Sequence, residues 1–377
     1  MNKNLKLLAI AALAGSATFS ACSDDDLTPI AVTLNDSYTV DKCKVLTITP
    51  TVTGATSETY CWAIGDSVIS EASTLEFISL KAGSFTVNLT VKDAVQSTVR
   101  PFTIKVNEAS YRKCFTKLVE YSPTFGTSVN DFAGGATTAD AALANVNKAV
   151  TEKGFKGYGL DLGFFGGAAV FAFDHTVANV PKKEDFCITM AGGFNNHAVV
   201  YIAYDRNKNG SPDNDEWYEI VGDLEGTAAI IPDYQVNLSG TRVDDEVLFM
   251  TSTNAWTDNK GNAGLYSYEY FPDAIYKVYP TWITGDMVLK GKRISTKSPA
   301  YDSKKGDKYL IGRGAGKNLS YLFDIDWARD KAGAKVVLPG IDFVKVVSAI
   351  FEPAPQSPEL SGYEHTVLTS VTDSNLK

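Results

Sequence analysis

A twelve-residue stretch near the middle of the chain carries the pattern of a calcium-binding loop. It runs from Asp205 to Glu216 and matches D-x-[DN]-x-[DN]-G-x5-E at every specified position. Gly210 stands where such a loop must turn sharply and where a Cβ would be costly. Ca2+ prefers oxygen ligands from carboxylate, amide and carbonyl groups. The predicted ligands are Asp205, Asn207, Asn209, Asp213, Glu216 and the carbonyl group of Ser211.

The segments around this loop predict β-strands and not the helices of an EF-hand. Residues 198–204 are β-branched and aromatic, which is typical of a buried strand. Pro212 occupies the position whose N–H bridges paired EF-hand loops, and proline has no N–H to donate. We therefore predict a single calcium loop that joins two strands and stiffens a surface connection. An acidic turn without metal is the alternative.

Residues that could perform catalysis are sparse. The three histidines are His175, His197 and His365, and none has a metal-ligand spacing such as H-x-x-x-H. A G-x-S-x-G elbow, a Walker loop and a dinucleotide fingerprint are all absent from the sequence. Asp324 and Asp326 could serve as the carboxylate pair of a glycoside hydrolase, but this spacing is common in ordinary strands. We predict a protein that is not an enzyme.

A ligand-binding surface is predicted in the aromatic-rich segment 256–282. Tyr266 and Tyr268 share one face if this segment is a strand. Flat apolar rings with hydroxyl tips suit stacking on sugar rings or on a corrin. The alternative, given equal weight, is that these aromatics form the core of a large sandwich.

Two histidines have competing interpretations. His197 lies in a loop rich in glycine and asparagine and is the more exposed candidate for contact with the ligand, with a purely structural histidine as the alternative. His175 is predicted to be a hydrogen-bonded histidine at a strand end, with ligation of a corrinoid cobalt as the alternative. The predicted ligand-binding residues are His197, Trp256, Asp258, Asn259, Tyr266, Tyr268, Tyr279 and Trp282.

The N-terminus predicts export and lipidation. Residues 1–21 have a lysine-bearing start and a short apolar run, as in a signal peptide. The phrase before Cys22 resembles a bacterial lipobox, although Phe19 departs from its usual aliphatic residue. The resemblance implies that Cys22 is lipidated and that residues 22–27 form an acidic tether, as in Bacteroidota lipoproteins on the outer surface of the outer membrane.

The acidic composition disfavours a nucleic acid as a partner. The chain has 44 acidic and 35 basic residues, a formal net charge of −9, which disfavours a nucleic acid. The cysteines after Cys22 permit two disulfides or four buried thiols, and the sequence does not decide between them. These cysteines are Cys43, Cys61, Cys114 and Cys187.

Residues 28–108 predict a small β-sandwich. Strand-like runs at 38–49, 59–64, 75–79, 84–92 and 99–106 are separated by turn residues. Tyr60-Cys-Trp62 and the phrase Gly-Ser-Phe-Thr-Val-Asn-Leu-Thr-Val-Lys-Asp that ends at Asp93 resemble a PKD-type immunoglobulin-like domain. The resemblance implies a spacer or adhesion module in which Trp62 fills the core.

Residues 109–377 predict a larger, jelly-roll-like β-sandwich, so the whole chain is predicted to be all-β. Short aromatic strands alternate with turns of Gly, Asn and Asp. Residues 140–153 are the exception, with apolar residues at helical spacing and Gly154 as the cap.

Several phrases in this second part resemble Bacteroidota cell-surface lipoproteins that pair a PKD-like domain with a C-terminal β domain. They include Leu-Gly-Phe-Phe-Gly-Gly from Leu162, Asp-Glu-Trp-Tyr-Glu from Asp215 and Phe-Asp-Ile-Asp-Trp from Phe323. The resemblance implies capture of a ligand, a vitamin B12-type cobamide, for a TonB-dependent outer-membrane transporter. This chain departs from the group at residues 191–197, where specificity could differ. The alternative is a carbohydrate-binding or adhesion module.

Overall fold

The structure is a computed structural model of the 377-residue chain. It describes residues 28–126, 128–155, 159–192, 197–239, 252–268, 279–283, 285–301, 309, 319–351 and 365–376. Over these residues the chain forms 23 strands and one α-helix. The prediction of an all-β sandwich protein is confirmed. The predicted signal peptide, Cys22 and the acidic tether lie outside the described residues.

The N-terminal part of the fold contains three small sheets around one core. Strands β2, β9, β8, β5 and β6 form a five-stranded sheet in that order, with β2 parallel to β9. Pairs β1–β4 and β3–β7 complete the sandwich. The strands are β1 (Ala31–Thr33), β2 (Ser37–Asp41), β3 (Leu46–Ile48), β4 (Thr51–Thr53), β5 (Thr59–Ile64), β6 (Ser67–Ser70), β7 (Leu75–Phe77), β8 (Gly83–Lys92) and β9 (Ser97–Asn107).

Trp62 lies at the centre of this first sandwich. Its side chain is fully buried, and its indole N–H donates to the carbonyl group of Ala72 at 2.7 Å. The Phe102 ring meets it edge-on, with centroids 6.0 Å apart. A buried tryptophan needs a partner for its N–H, and this one has it. The interpretation of Trp62 as a core residue is confirmed.

The predicted strand over residues 38–49 is wrong, because the chain forms β2 and β3 there, in two different sheets. Cys43 separates them with a φ of +57°, a left-handed conformation that no strand tolerates. Its carbonyl group accepts the Thr176 N–H at 2.9 Å. Cys43, which separates the two strands, therefore contacts the C-terminal part of the fold.

The C-terminal part contains three larger sheets, one helix and a 3-10 turn. The elements are β10 (Lys117–Ser122), α1 (Ala139–Lys153), β11 (Leu160–Asp161), β12 (Ala168–Ala178), β13 (Phe186–Met190), β14 (Ala198–Ala203), β15 (Trp217–Ile220), β16 (Ile230–Ser239), β17 (Ser252–Asp258), β18 (Ala263–Tyr268), β19 (Met287–Ile294), β20 (Leu319–Phe323), the 3-10 turn (Ile325–Trp327), β21 (Ala328–Arg329), β22 (Gly340–Ser348) and β23 (Val367–Asp373).

Two of these sheets enclose the largest core. The six-stranded sheet has the order β10-β12-β22-β14-β15-β21, and the four-stranded sheet has the order β11-β23-β13-β20. Alternate residues such as Val344 and Ile202 point inward from the first sheet, and Ile188 and Val371 point inward from the second. All four side chains are fully buried. This face-to-face packing is the predicted larger sandwich.

A third sheet, β18-β17-β16-β19, covers a second core rich in aromatic rings. Phe164 and Phe165 reach this core from the turn before β12. Gly167 closes the turn, and an added Cβ there would lie 1.8 Å from the Leu162 carbonyl oxygen. The glycine-rich phrase is thus a close-packed turn.

Helix α1 agrees with the predicted helix over residues 140–153. Thr138 caps its start and accepts the Ala141 N–H at 3.3 Å. Gly154 follows its last residue with a φ of +70°. The apolar face of the helix buries Ala142 and Val146 against β10 and the main core.

The two parts of the fold meet beside the loop predicted to bind calcium. Lys208 donates its ammonium group to the Val45 carbonyl at 3.3 Å. Arg206 and Glu76 approach to 3.6 Å. The loop therefore contacts the N-terminal sandwich as well as its own domain.

Cys43, Cys61, Cys114 and Cys187 are free thiols in the structure. Cys114 and Cys187 both pair with Thr372, from its opposite sides. Two strand spacings, about 10 Å, separate such residues, which is more than a disulfide spans. Among the described residues no helix is long and apolar enough to cross a membrane.

Candidate functional site

A row of polar side chains crosses the outer face of the six-stranded sheet. Backbone pairing places Lys345 beside Tyr201, Tyr201 beside Glu219, and Glu219 beside Arg329. Paired residues share a face of the sheet, and their neighbours along a strand take the other face. Val344, next to Lys345, lies in the main core. The polar row therefore faces away from that core.

A cleft of about 450 Å³ opens over one end of this row. Its walls come from β14, β15, β19, β21 and the turn after β21, with Val221 and Glu225 from the segment after β15. We name it the Trp217 cleft. It is lined by Tyr201, Trp217, Glu219, Val221, Glu225, Lys292, Arg329, Asp330, Lys331, Ala332 and Gly333.

Trp217 supplies the aromatic wall of the cleft. It is the first residue of β15 and is half-buried. The Lys345 ammonium group lies 6.0 Å from the ring centre, at the outer limit of a cation–π contact. The indole is thus fixed by packing while part of it faces the cleft. The residues beneath it form a small apolar cluster of Val170, Ala172, Ala203 and Phe343.

A charged triad forms the polar wall. The Lys292 ammonium group donates to Glu219 at 2.5 Å and to Glu225 at 2.6 Å. The Tyr309 hydroxyl donates to the same Glu225 oxygen at 2.8 Å. Lys292 is 10% exposed, so its charge is compensated by these two carboxylates more than by water.

Burial shapes the protonation of this wall. It raises the pKa of the Glu219 carboxyl above its ordinary range, and the hydrogen bond and charge of Lys292 oppose that shift. Burial, followed by the charges of Glu219 and Glu225, also raises the pKa of the Tyr201 hydroxyl. Tyr201 therefore stays a neutral hydrogen-bond donor throughout the physiological range.

The turn after β21 closes the cleft with charges that are also engaged. Arg329, the last residue of β21, donates to the carbonyl groups of Ala328 and Asp326 at 2.8 and 3.3 Å. Asp330 accepts two backbone N–H groups at 2.9 and 2.8 Å. Lys331 reaches the Asn214 carbonyl at 3.4 Å. This last contact ties the cleft to the 205–216 loop.

The 205–216 loop joins β14 to β15, so the predicted placement between two strands is confirmed. The two carboxylate oxygens of Asp205 accept the N–H groups of Asn209 and Gly210 at 3.0 and 2.8 Å. Glu216 is buried, and its two oxygens accept loop N–H groups at 2.8 and 3.0 Å. Gly210 has a φ of +77°. The backbone curls around its own polar side chains.

The donor set fits Ca2+ in type, although its hydrogen bonds join the side chains to one another. The amide nitrogens of Asn207 and Asn209 donate to Asp213 at 2.6 and 2.9 Å. Rotating each amide by half a turn would present its oxygen instead. Among the described residues no group of three or more His, Cys, Asp or Glu side chains is gathered as a metal site. Calcium binding therefore stays a prediction.

His197 lies away from the Trp217 cleft, and its predicted exposure is wrong. The residue is 2% exposed, and its ring nitrogen Nε2 lies 2.9 Å from the Tyr301 hydroxyl. Its carbonyl group accepts the Ala349 N–H at 2.8 Å. The loop before it, residues 193–196, lies outside the described residues. His197 directly precedes the buried strand β14, and its ring packs beside that of Tyr301.

Trp256, Asp258 and Asn259 were predicted to contact ligand, and the structure gives each a packing or turn contact. Trp256 is 8% exposed and stacks over Gly264, where a Cβ would lie 2.9 Å from the indole. Asp258 accepts the Tyr234 hydroxyl at 2.7 Å. Asn259 donates to the Asp233 carbonyl at 2.7 Å.

Burial by itself would raise the pKa of the Asp258 carboxyl. Its hydrogen bonds from Asn262, Tyr234 and the turn backbone together lower that pKa below its ordinary value. Such bonds hold a β-turn in place. Asp258 is therefore engaged in maintaining the hairpin.

The remaining predicted aromatics are divided between two cores. Tyr279 packs against the second core, with its ring 5.8 Å from Phe125. Trp282 packs against the main core, 6.1 Å from the Tyr121 ring. Tyr266 and Tyr268 lie on β18, but their side chains are outside the described set. Trp256 is thus a core residue, whereas Tyr279 and Trp282 are half-buried at the edges of the two cores.

His175 and the Asp324–Asp326 pair have structural partners. His175 is fully buried, with Asp174 at 2.7 Å and Asp373 at 2.9 Å from its two ring nitrogens. This agrees with the predicted hydrogen-bonded histidine. The expected strand through Asp324 and Asp326 is wrong, because Asp324 caps the 3-10 turn and accepts the Asp326 N–H at 2.8 Å.

Sequence reasoning missed the cleft residues Tyr201, Glu219, Lys292 and Arg329. Trp217 and Glu219 belong to a phrase that carries the family resemblance, and that was their one available signal. Tyr201, Lys292 and Arg329 are 14 or more residues away from that phrase in the chain. Strand pairing joins Tyr201 and Arg329 to it, and an ion pair with Glu219 joins Lys292.

No family model and no curated protein matches this chain. A SusE-like protein is similar at 9% identity and a TM-score of 0.28, covering 92% of this chain and 95% of its own. SGBP-B of the Bacteroides ovatus mixed-linkage glucan utilization locus, in complex with a mixed-linkage heptasaccharide, is similar at 12% identity and a TM-score of 0.20, covering 86% and 100%. A human PKD domain is similar at 18% identity and a TM-score of 0.19, covering 24% and 94%. These TM-scores are too low to assign a function to the chain.

Proposed function

We propose that this chain is a non-enzymatic binding protein of the cell surface and that the Trp217 cleft binds a glycan. The observation that carries the proposal is an aromatic wall, Trp217, facing a polar wall built by Lys292, Glu219 and Glu225. Sugar rings have apolar faces and hydroxyl edges. An indole suits the faces, and charged donors and acceptors suit the edges.

The state of the two glutamates supports binding over hydrolysis. Retaining and inverting glycosidases need one carboxyl group as acid and another as nucleophile or base. Here Glu219 and Glu225 are both bonded to Lys292, and Glu225 also accepts the Tyr309 hydroxyl. Carboxylates held by a shared lysine serve well as fixed hydrogen-bond acceptors for hydroxyl groups.

A panel of soluble polysaccharides in affinity electrophoresis tests the proposal. We expect at least one polysaccharide to retard the wild-type protein and the Trp217→Ala variant to migrate as it does without ligand. Trp217→Phe keeps an aromatic ring and should retain part of the retardation. Equal retardation of wild type and Trp217→Ala, or no retardation by any polysaccharide, would contradict it.

The cobamide implied by family resemblance is the second candidate, and it has less support from the geometry. His175, His197 and His365 are all buried, and none lines the cleft. A corrin is also several times larger than a sugar ring. Calorimetry with cyanocobalamin separates the candidates, since heat of binding that survives Trp217→Ala would favour the cobamide.

Calcium binding at the 205–216 loop is part of the proposal. Asp205, Asp213 and Glu216 would supply charge, and Asn207, Asn209 and the Ser211 carbonyl would complete the oxygen set. The ion would neutralise the loop directly before Trp217 and hold the strand connection rigid. Its role would be structural.

Lipidation at Cys22 and delivery to a TonB-dependent transporter complete the proposed setting. What supports them is the sequence resemblance at residues 1–27 and across the C-terminal domain. Cys22→Ser should release the protein from the outer membrane, and external protease should digest the wild-type protein on intact cells. Retention of the variant in the membrane fraction would contradict the anchor.

A further inference from the structure

We infer that the Trp217 cleft selects neutral glycans and disfavours those that carry carboxylate or sulfate groups. The inference rests on the glycan-binding function proposed above and names the substrate class. It follows from how the charges of the cleft are distributed and paired.

The cleft has as many negative as positive side chains. Its cations are Lys292, Arg329 and Lys331, and its anions are Glu219, Glu225 and Asp330. A site for an anionic sugar would hold an excess of positive charge, because such sites recognise carboxylate and sulfate through free lysine or arginine groups. This cleft holds no such excess.

Lys292, which is 10% exposed, already has two anionic partners. Lys292 lies within 2.6 Å of two carboxylate oxygens from different glutamates. One positive charge between two negative ones leaves the triad net negative. An anionic group approaching Lys292 would meet two like charges at short range, and like-charge juxtaposition at an interface is costly.

Positive and negative side chains are also paired along the polar row beyond the cleft. Lys345 pairs with Glu120 at 3.3 Å, where both side chains are partly exposed. A longer glycan that extended across the strands would therefore meet a second matched pair. Hydroxyl groups can accept from the lysines and donate to the carboxylates without displacing either partner's charge.

Matched pairs of polysaccharides test the inference. The first pair is neutral dextran and anionic dextran sulfate, and the second is neutral hydroxyethyl cellulose and anionic carboxymethyl cellulose. Both pairs extend the panel of polysaccharides described above. We expect retardation by neutral members only, lost in Trp217→Ala and unchanged between low and high salt, because binding without ionic attraction is not screened.

The outcomes separate the two proposals. Retardation by an anionic member that is lost in Trp217→Ala and weakened by salt would overturn the selectivity and leave glycan binding standing. No retardation by any member would overturn both. Glu219→Gln provides a second measurement: it removes one negative charge from the triad and should reduce the discrimination between carboxymethyl and hydroxyethyl cellulose, whereas Glu120→Gln, outside the cleft, should reduce it less.

Discussion

The 205–216 loop and the Trp217 cleft adjoin in sequence, but they are assembled in different ways. The loop takes its polar groups from twelve consecutive residues, and many of its hydrogen bonds return to its own backbone. The cleft takes its groups from segments up to 132 residues apart, from Tyr201 to Gly333, and these groups are held together by sheet pairing and by Lys292.

This difference indicates how each region responds to its ligand. A loop without a core of its own has conformational freedom that an ion can remove, so a calcium ion can contribute much to its stability. The cleft rests on packed strands and is formed before any ligand binds. The loop should therefore respond to metal mainly in stability, and the cleft should respond to substitution mainly in binding.

The largest expected effect is the removal of calcium. Free Ca2+ at a hundred times its Kd would stabilise the folded protein by about 2.7 kcal/mol. A chelator should therefore lower the melting temperature of the wild type, and the Glu216→Gln variant should show little change on chelation because its site is already weakened. Calorimetric melting checks this. Equal melting of the wild type with and without chelator would contradict the calcium site.

Lys292→Met should have the next largest effect, on the cleft. It leaves Glu219 and Glu225 close together without their shared cation. Losing one partner of a partly buried ion pair should lower the free energy of unfolding by about 2 kcal/mol, a value between those of surface and fully buried pairs. Urea denaturation measures the loss. Lys331→Met, which removes a cation at the exposed rim, should change stability by less than about 0.5 kcal/mol. Equal losses in the two variants would contradict the triad.

Glu219 should make a smaller, pH-dependent contribution. Burial raises its folded pKa, so its contribution to stability is fully present below the ordinary glutamate pKa and is lost as the pH rises through the raised value. Urea midpoints measured across this acidic interval should fall more with rising pH for wild type than for Glu219→Gln. Parallel dependence of the urea midpoint on pH in the two proteins would contradict the raised pKa of Glu219.

The smallest expected effect concerns the contact between the loop and the N-terminal sandwich. Arg206 and Glu76 are 3.6 Å apart, and Arg206 is 53% exposed. Solvent screens such a pair, so Arg206→Ala should cost about 0.5 kcal/mol or less. A double-mutant cycle with Glu76→Gln isolates the pair. A coupling well above 1 kcal/mol would show that this contact matters more than its exposure indicates.

The features that sequence predicts well are those encoded by neighbouring residues. Helix α1 with Gly154 after its last residue and the loop between β14 and β15 both follow from local spacing. Each requires information from fewer than about twenty residues, as in periodicity and capping.

The cleft could not be predicted in this way, because strand register is a long-range property. Tyr201 pairs with Glu219, and Glu219 pairs with Arg329 more than a hundred residues away. Composition also cannot tell which face of a strand an aromatic residue takes. Sequence reasoning gives equal weight to a surface and a core position for Trp256, which lies in a core, whereas Trp217 lines the cleft.

Tryptophan fluorescence with a glycan that retards the protein tests the central claim most directly. Trp62 and Trp256 are buried in cores, and Trp282 and Trp327 pack against the main core without lining the cleft. A change on binding should therefore come mainly from Trp217. We predict a saturable change in emission for wild type that disappears in Trp217→Phe, while calorimetry shows that this variant still binds. A saturable change of the same size in Trp217→Phe would place the ligand elsewhere and contradict the account.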